Sequence, residues 1–324
     1  MQIIETEILY RPESAELRYL PEGPGFLDEA SFSWVAIQHG PQSVVGSVNI
    51  LHLHPLQNAS FELHGRPGFA FPTDHPGVFV AGVELEVGLF NTRDRHWTAF
   101  VSDIDSGVQN TIINDGLLFE NNLIFGCKDL EFRTQKAGLY LWRQADRALI
   151  RLRNDQICSN GKGVLRARGG ALDLIDIDSP SKVITRSRLD IAQGSLGEPE
   201  ILIDLTAEDL FPDGLILTPD QQSLIVALYD PGDAKFGAAR QYRIGDGTLE
   251  AIWTCAGSPR VTCPQLIRHE ARVRLVLTTA VEQMSTEQQA RHPNAGCLFI
   301  GDTAFDSIGD QPRFAVAGAG ISIS

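Results

Sequence analysis

Several signals that would narrow the role of this chain at once are missing from it. No run of about 18 apolar residues occurs, so no segment is expected to cross a bilayer as a helix. The opening MQIIETEILYRPE has neither a basic start nor an apolar centre, and a secretory leader is not expected. Asn58-Ala59-Ser60 fits a glycosylation sequon but carries little weight without one. The five cysteines, an odd number, include no CxxC and no Cys/His metal spacing. Reduced thiols and a cytoplasmic location are the expectation. No GxSxG elbow is present to serve a serine hydrolase. Basic residues are short: 27 Lys and Arg stand against 41 Asp and Glu, a net charge of −14. That excess opposes nucleic-acid or anionic-membrane binding, which need basic patches to meet phosphate. It suits plain solubility, or a protein that collects cations. No Pro-, Gly- or Ser-rich linker divides the 324 residues, so one domain spanning 1–324 is expected, as large all-β folds run long.

What the chain does contain is a recurring outline. FPDGLILTPDQQSLIVALYD (211–230) reads as a hairpin: Asp213 just before a short apolar strand opened by Gly214, a turn over 218–223, and a second apolar strand from Leu224 to Tyr229. NDGLLFENNLIFGCKD, SNGKGVLRARGGALDLIDID and PEGPGFLDEASFSWVAI repeat it, and two weaker copies begin near Gly65 and Ser258. Glu22, Gly68, Asn114, Asn160, Asp213 and Cys263 mark the copies, at steps of 46, 46, 46, 53 and 50 residues. Short strands at that period predict an all-β, six-bladed β-propeller. Residues 1–20 are expected to complete the last blade, and EQMSTEQQARHPN to form a short helix or a loop. His52 and His54 share a strand face, where two solvent-facing histidines are favoured over a metal pair. The Gly- and Ala-rich tail AVAGAGISIS is not read as a phosphate loop, since no helix follows it.

Inner strands of a propeller line a channel, and residues at their starts converge at one mouth. Glu22, Asn114, Asn160 and Asp213 hold that position, each with a glycine one or two residues on. Two carboxylates and two amides match the donors of a hard divalent cation. A water-filled channel with polar caps is an equally open reading, and the two asparagines alone are good turn formers.

PEGPGF at Glu22, NDG at Asn114, SNG at Asn160, PDGL at Asp213, DIDSPSKVITRSRLD, and RVTCPQLI with RLVLTTA together resemble the family of regucalcin (senescence marker protein), gluconolactonases and luciferin-regenerating enzymes. The pieces run in order along nearly the whole chain. The resemblance implies a six-bladed propeller with one divalent metal ion, calcium first, with magnesium, manganese or zinc as alternatives. It implies Glu22, Asn160 and Asp213 as metal ligands, Asn114 and Glu131 as substrate contacts, and Asp213 also as general base. Ile112 stands where members acting on sugar lactones often carry arginine, Ala36 replaces an aspartate, and Lys162 lies close to Asn160.

The chemistry so implied is hydrolysis of a small-molecule lactone to its hydroxy acid. A metal polarises the carbonyl and a carboxylate takes the proton of the attacking water. The partner expected is that small molecule, with no nucleic acid and no membrane. A non-catalytic calcium-binding regulatory propeller and an interaction scaffold are the alternatives.

Overall fold

The apolar runs seen in the sequence become the second strands of six antiparallel sheets, and they are buried on both faces. Ser31–Ala36, Val78–Val83 and Asn122–Asp129 have no exposed residue, and Ser223–Tyr229 and Arg272–Thr279 are buried over all but one position. A strand covered on both sides needs apolar residues in succession rather than in alternation, which is why these runs are continuous. The outer strands, such as Leu56–Glu62 and Ala148–Gln156, are mostly half-buried or exposed. The computed structural model describes residues 1–167 and 169–320. Its sheets are those of a six-bladed β-propeller.

The chain divides into two compact units. The first, Met1–Arg66 with Leu205–Gln311, holds blades one, five and six. Blade one runs Pro21–Asp28, Ser31–Ala36, Ser47–Leu53, Leu56–Glu62. Blade five runs Phe211–Leu217, Ser223–Tyr229, Phe236–Arg243, Leu249–Ala256, and blade six Val261–His269, Arg272–Thr279, Leu298–Asp302. Its apolar core packs Phe32, Trp34 and Leu51 against Ile267 and Leu298, and Trp253 against Leu275 and Phe299. The second unit, Pro67–Asp204 with the stretch from Pro312, holds blades two, three and four, whose inner strands are Pro67–Pro72, Thr111–Phe119 and Ser159–Arg166. Phe69, Phe125, Tyr140, Trp142 and Phe314 fill its centre.

The amino-terminal segment does more than expected. Gln2–Glu5 adds a fifth strand, parallel, to the edge of blade five, and Glu7–Tyr10 supplies the missing fourth strand of blade six. Ala15–Tyr19 is a short helix, not a strand, with Ser14 capping it through Leu17 N–H. The insertion in blade six is a helix, Thr286–Arg291, closed by a capping box of Ser285 and Gln288. His54 lies beyond the end of the strand that carries His52, so the two do not share a strand face. Blade four forms its inner strand over Ser159–Arg166. The last four residues of the tail lie outside the described residues.

Every blade shares one irregularity. The pairing of the innermost strand with its neighbour slips by one residue between Glu22 and Gly25, Pro67 and Phe69, Ile113 and Gly116, Asn160 and Lys162, Pro212 and Leu215, and Val261 and Pro264. These are β-bulges, and all six fall on the sequence markers or beside them. An extra residue breaks the strict alternation of faces and re-aims the side chain beside it. Asp213 therefore sits inside its strand, at the bulge, and not ahead of it as the sequence suggested.

Candidate functional site

In the second unit the bulges of blades three and four bring Asn114 and Asn160 together. Asn114 Nδ2 donates to Asn160 Oδ1 at 2.9 Å and to the Ser159 carbonyl at 2.8 Å. Asn160 Nδ2 donates to Ser179 Oγ at 2.8 Å. The two amides are thus members of a strand-borne network and not turn formers. Both hydrogens of Asn114 are spent inside the fold, which leaves its side-chain oxygen as the group available to accept a hydrogen bond. Asn160 Oδ1 accepts one bond and keeps its second lone pair. Close approach of the blades requires glycine here: a Cβ on Gly68 would lie 1.9 Å from the Asn114 carbonyl oxygen.

Lys162, flagged by its nearness to Asn160, has a fully buried side chain. Its ammonium donates to Ser159 Oγ at 2.8 Å and to the Asn160 carbonyl, and pairs with Asp176 at 3.6 Å. Burial pushes the Asp176 carboxyl up to about 6 against the pull of Lys162. Burial likewise raises Asp115, again opposed by Lys162.

Glu131 lies on the exposed loop after Asn122–Asp129. Its carboxylate pairs with Arg133 at 3.1 Å and accepts from Asn110 Nδ2 at 3.5 Å. The loop is folded around Asp129, which is fully buried. Its carboxylate accepts the backbone N–H groups of Glu131, Arg133 and Thr134 and pairs with Lys136 at 2.9 Å. Burial alone would raise this carboxyl. The Lys136 contact and the three N–H groups outweigh it and hold the group well below the usual carboxylate range.

In the first unit Glu22 and Asp213 are each 8% exposed, at the bulges of blades one and five. Glu22 Oε2 accepts from Gly23 N–H at 3.0 Å. Gly214 lets blade six approach, since a Cβ there would lie 2.5 Å from Cys263 Sγ. Tyr229, at the end of the next strand, donates to the Glu282 carbonyl at 3.2 Å, and the Arg260 guanidinium lies 5.4 Å over its ring. Burial and Glu282, with Asp213 adding to them, push the phenol far up while Arg260 opposes. Nothing in the sequence singled out Tyr229 or Arg260, which are ordinary strand-end residues until folded.

Among the described residues no group of three or more His, Cys, Asp and Glu could hold a metal. The expected ligands include only two carboxylates and are completed by a carboxamide. All three, Glu22, Asn160 and Asp213, are nearly buried and offer oxygen, the chemistry that suits a hard cation rather than zinc.

Six sheets of four or five strands, each with a bulge at the head of its inner strand, define the class of protein: a six-bladed propeller with polar side chains set at the bulges. The chain belongs to the SMP-30/Gluconolactonase/LRE-like region family, whose profile matches residues 20–281. It is 29% identical over 176 residues to YvrE of Bacillus subtilis (strain 168), a candidate sugar lactone lactonase, a match covering 54% of this chain and 56% of that one. The chain thus spans little more than half the length of the curated relatives it matches. Among solved structures it is similar to a calcium-binding protein, regucalcin, from Agrobacterium tumefaciens str. C58. That likeness has a TM-score of 0.78 at 20% identity, over 98% of this chain and 100% of that one. It is also similar to a luciferin-regenerating enzyme, with a TM-score of 0.77 at 15% identity over 96% and 100%. At those identities the likeness speaks for the fold.

Proposed function

We propose that this chain, as one domain spanning residues 1–324, is a divalent-metal-dependent lactonase. The observation that carries the reading is the family match across most of the chain, joined by a curated relative named for lactone hydrolysis. Glu22, Asn160 and Asp213 would hold the ion, calcium first and magnesium, manganese or zinc otherwise. When bound, such an ion polarises a lactone carbonyl.

The residues of the chain do the rest. Asp213, a near-buried carboxylate, takes the proton of the attacking water and returns it to the ring oxygen as the ester bond breaks, giving a hydroxy acid. Asn114, with its hydrogens already committed, accepts a hydrogen bond from a substrate hydroxyl. Glu131, carried on the loop that Asp129 orders, is the second contact. The five free cysteines are all buried and fit a reducing compartment, which supports a cytoplasmic location.

The test is a lactone and ester panel run with calcium, magnesium, manganese or zinc after stripping with a chelator. Turnover that returns with one of these metals, and is lost together with metal binding in Asp213→Ala, is the expected result. Normal turnover of every active lactone by Asp213→Ala would sink the assignment. Calcium binding with no turnover of any lactone would favour a regulatory propeller.

A further inference from the structure

Lys128 lies on the second strand of blade three, directly across the ladder from Ile112. The residue is only 7% exposed. Among the described residues its ammonium has no hydrogen-bond or ion-pair partner; it lies over the Phe132 ring, 5.7 Å from the centroid. The nitrogen is not one of the sealed, unpartnered polar atoms of the fold, so solvent reaches it. The neighbouring carboxylates are already engaged: Glu131 by Arg133, and Asp129 by Lys136 and three backbone N–H groups. A nearly buried cation without a counter-ion is costly, and an aromatic face offsets only part of that cost.

Two further observations fall at the same place. Phe132 is held at φ +53°, a conformation unfavourable for a bulky residue. The Asp129 carboxylate folds the loop that holds it there. Lys128 also forms a backbone bridge to Cys158, whose sulfur lies 3.8 and 3.7 Å from the amide nitrogens of Asn114 and Asn160. The Lys128 backbone thus adjoins the residue whose sulfur touches the paired carboxamides, while its ammonium faces the strained Phe132 ring, in a chain whose net charge is −14.

We propose that Lys128, capped by Phe132, is an anion subsite that receives a carboxylate or phosphate of a ligand held at Asn114. The substrate is then a lactone carrying a second, acidic group, a statement that rests on the lactonase reading above. Lysine suits the task because it offers a point charge with rotatable donors that can follow either kind of anion.

The full-length protein, Lys128→Met and Lys128→Arg are compared on D-glucaro-1,4-lactone (carboxylate), 6-phospho-D-glucono-1,5-lactone (phosphate) and D-glucono-1,5-lactone (neutral). The readout is the ratio of kcat/KM for each acidic lactone to that for the neutral one. Calorimetry with D-glucarate, 6-phospho-D-gluconate and D-gluconate runs alongside and needs no turnover. We expect at least a tenfold preference for one acidic ligand, identifying which anion is read, lost in Lys128→Met and largely kept in Lys128→Arg. A wild-type protein with no preference, or a Lys128→Met protein that keeps it, overturns the subsite. Lys128-dependent selection in binding without hydrolysis of any lactone overturns the lactonase reading and leaves the subsite standing.

Discussion

At the scale of single residues, an amide's role depends on which of its atoms the fold consumes. Asn114 gives both hydrogens to blade four and keeps an oxygen, so in the lactonase proposed above it would select for donors on a ligand. Glu131 keeps a half-exposed carboxylate beside Arg133 and can turn toward a hydroxyl at little cost. Glu131→Ala is therefore expected to raise KM by about tenfold, the weight of one hydrogen bond to a charged group, with kcat little changed. Steady-state kinetics checks this, and unchanged parameters would remove Glu131 from the site. The equivalent placement of Glu22, Asn114, Asn160 and Asp213 in their blades was legible because each polar residue comes with a glycine at a steady period. The Asn114–Asn160 bond was not, because it joins residues 46 apart through the packing of two sheets. Lys128 reads in sequence as one more surface lysine; only the burial of its stem and the engagement of nearby acids set it apart.

At the scale of elements, the loop bearing Glu131 and Phe132 is ordered by one buried carboxylate. The folded state holds Asp129 below its unfolded value of about 3.9. Its stabilisation is present above that value and is lost as pH falls through the depressed one. Asp129→Asn is expected to cost about 3 kcal/mol near neutrality, as for breaking a buried pair. The gap to the native protein should close as the medium becomes strongly acidic. Denaturant melts at several pH values would show it, and a pH-independent gap would contradict it. Strand positions were readable from apolar runs, and EQMSTEQQARHPN only as a short helix or a loop, of which the helix Thr286–Arg291 forms. The bulges themselves were not readable: a slip of one residue leaves no mark in composition. They explain why Asp213 stands inside its strand when the glycine after it looked like the strand's beginning.

At the scale of the whole molecule, an ion that binds only the folded chain must stabilise it. At a hundredfold excess over Kd the gain is about 2.7 kcal/mol, or roughly 5 °C in Tm for a chain of this size. Calcium added to chelator-stripped protein is expected to give such a shift, read by calorimetry, and Asp213→Ala to abolish it. An equal shift in both proteins would place the ion elsewhere. The number of blades was legible because the repeat is a property of the entire chain. The fate of residues 1–20 was only half legible, because two short apolar runs say nothing of the two different sheets that receive them.

That arrangement bears on how the molecule comes into being. Leu298–Asp302, near the far end, finds its outer partner in Glu7–Tyr10. During synthesis Glu7–Tyr10 must wait, unpaired, until Leu298–Asp302 has left the ribosome. The entropy of closing so long a loop falls due at the last step, so assembly should end, and unravelling begin, at the seam where the first strands meet the last.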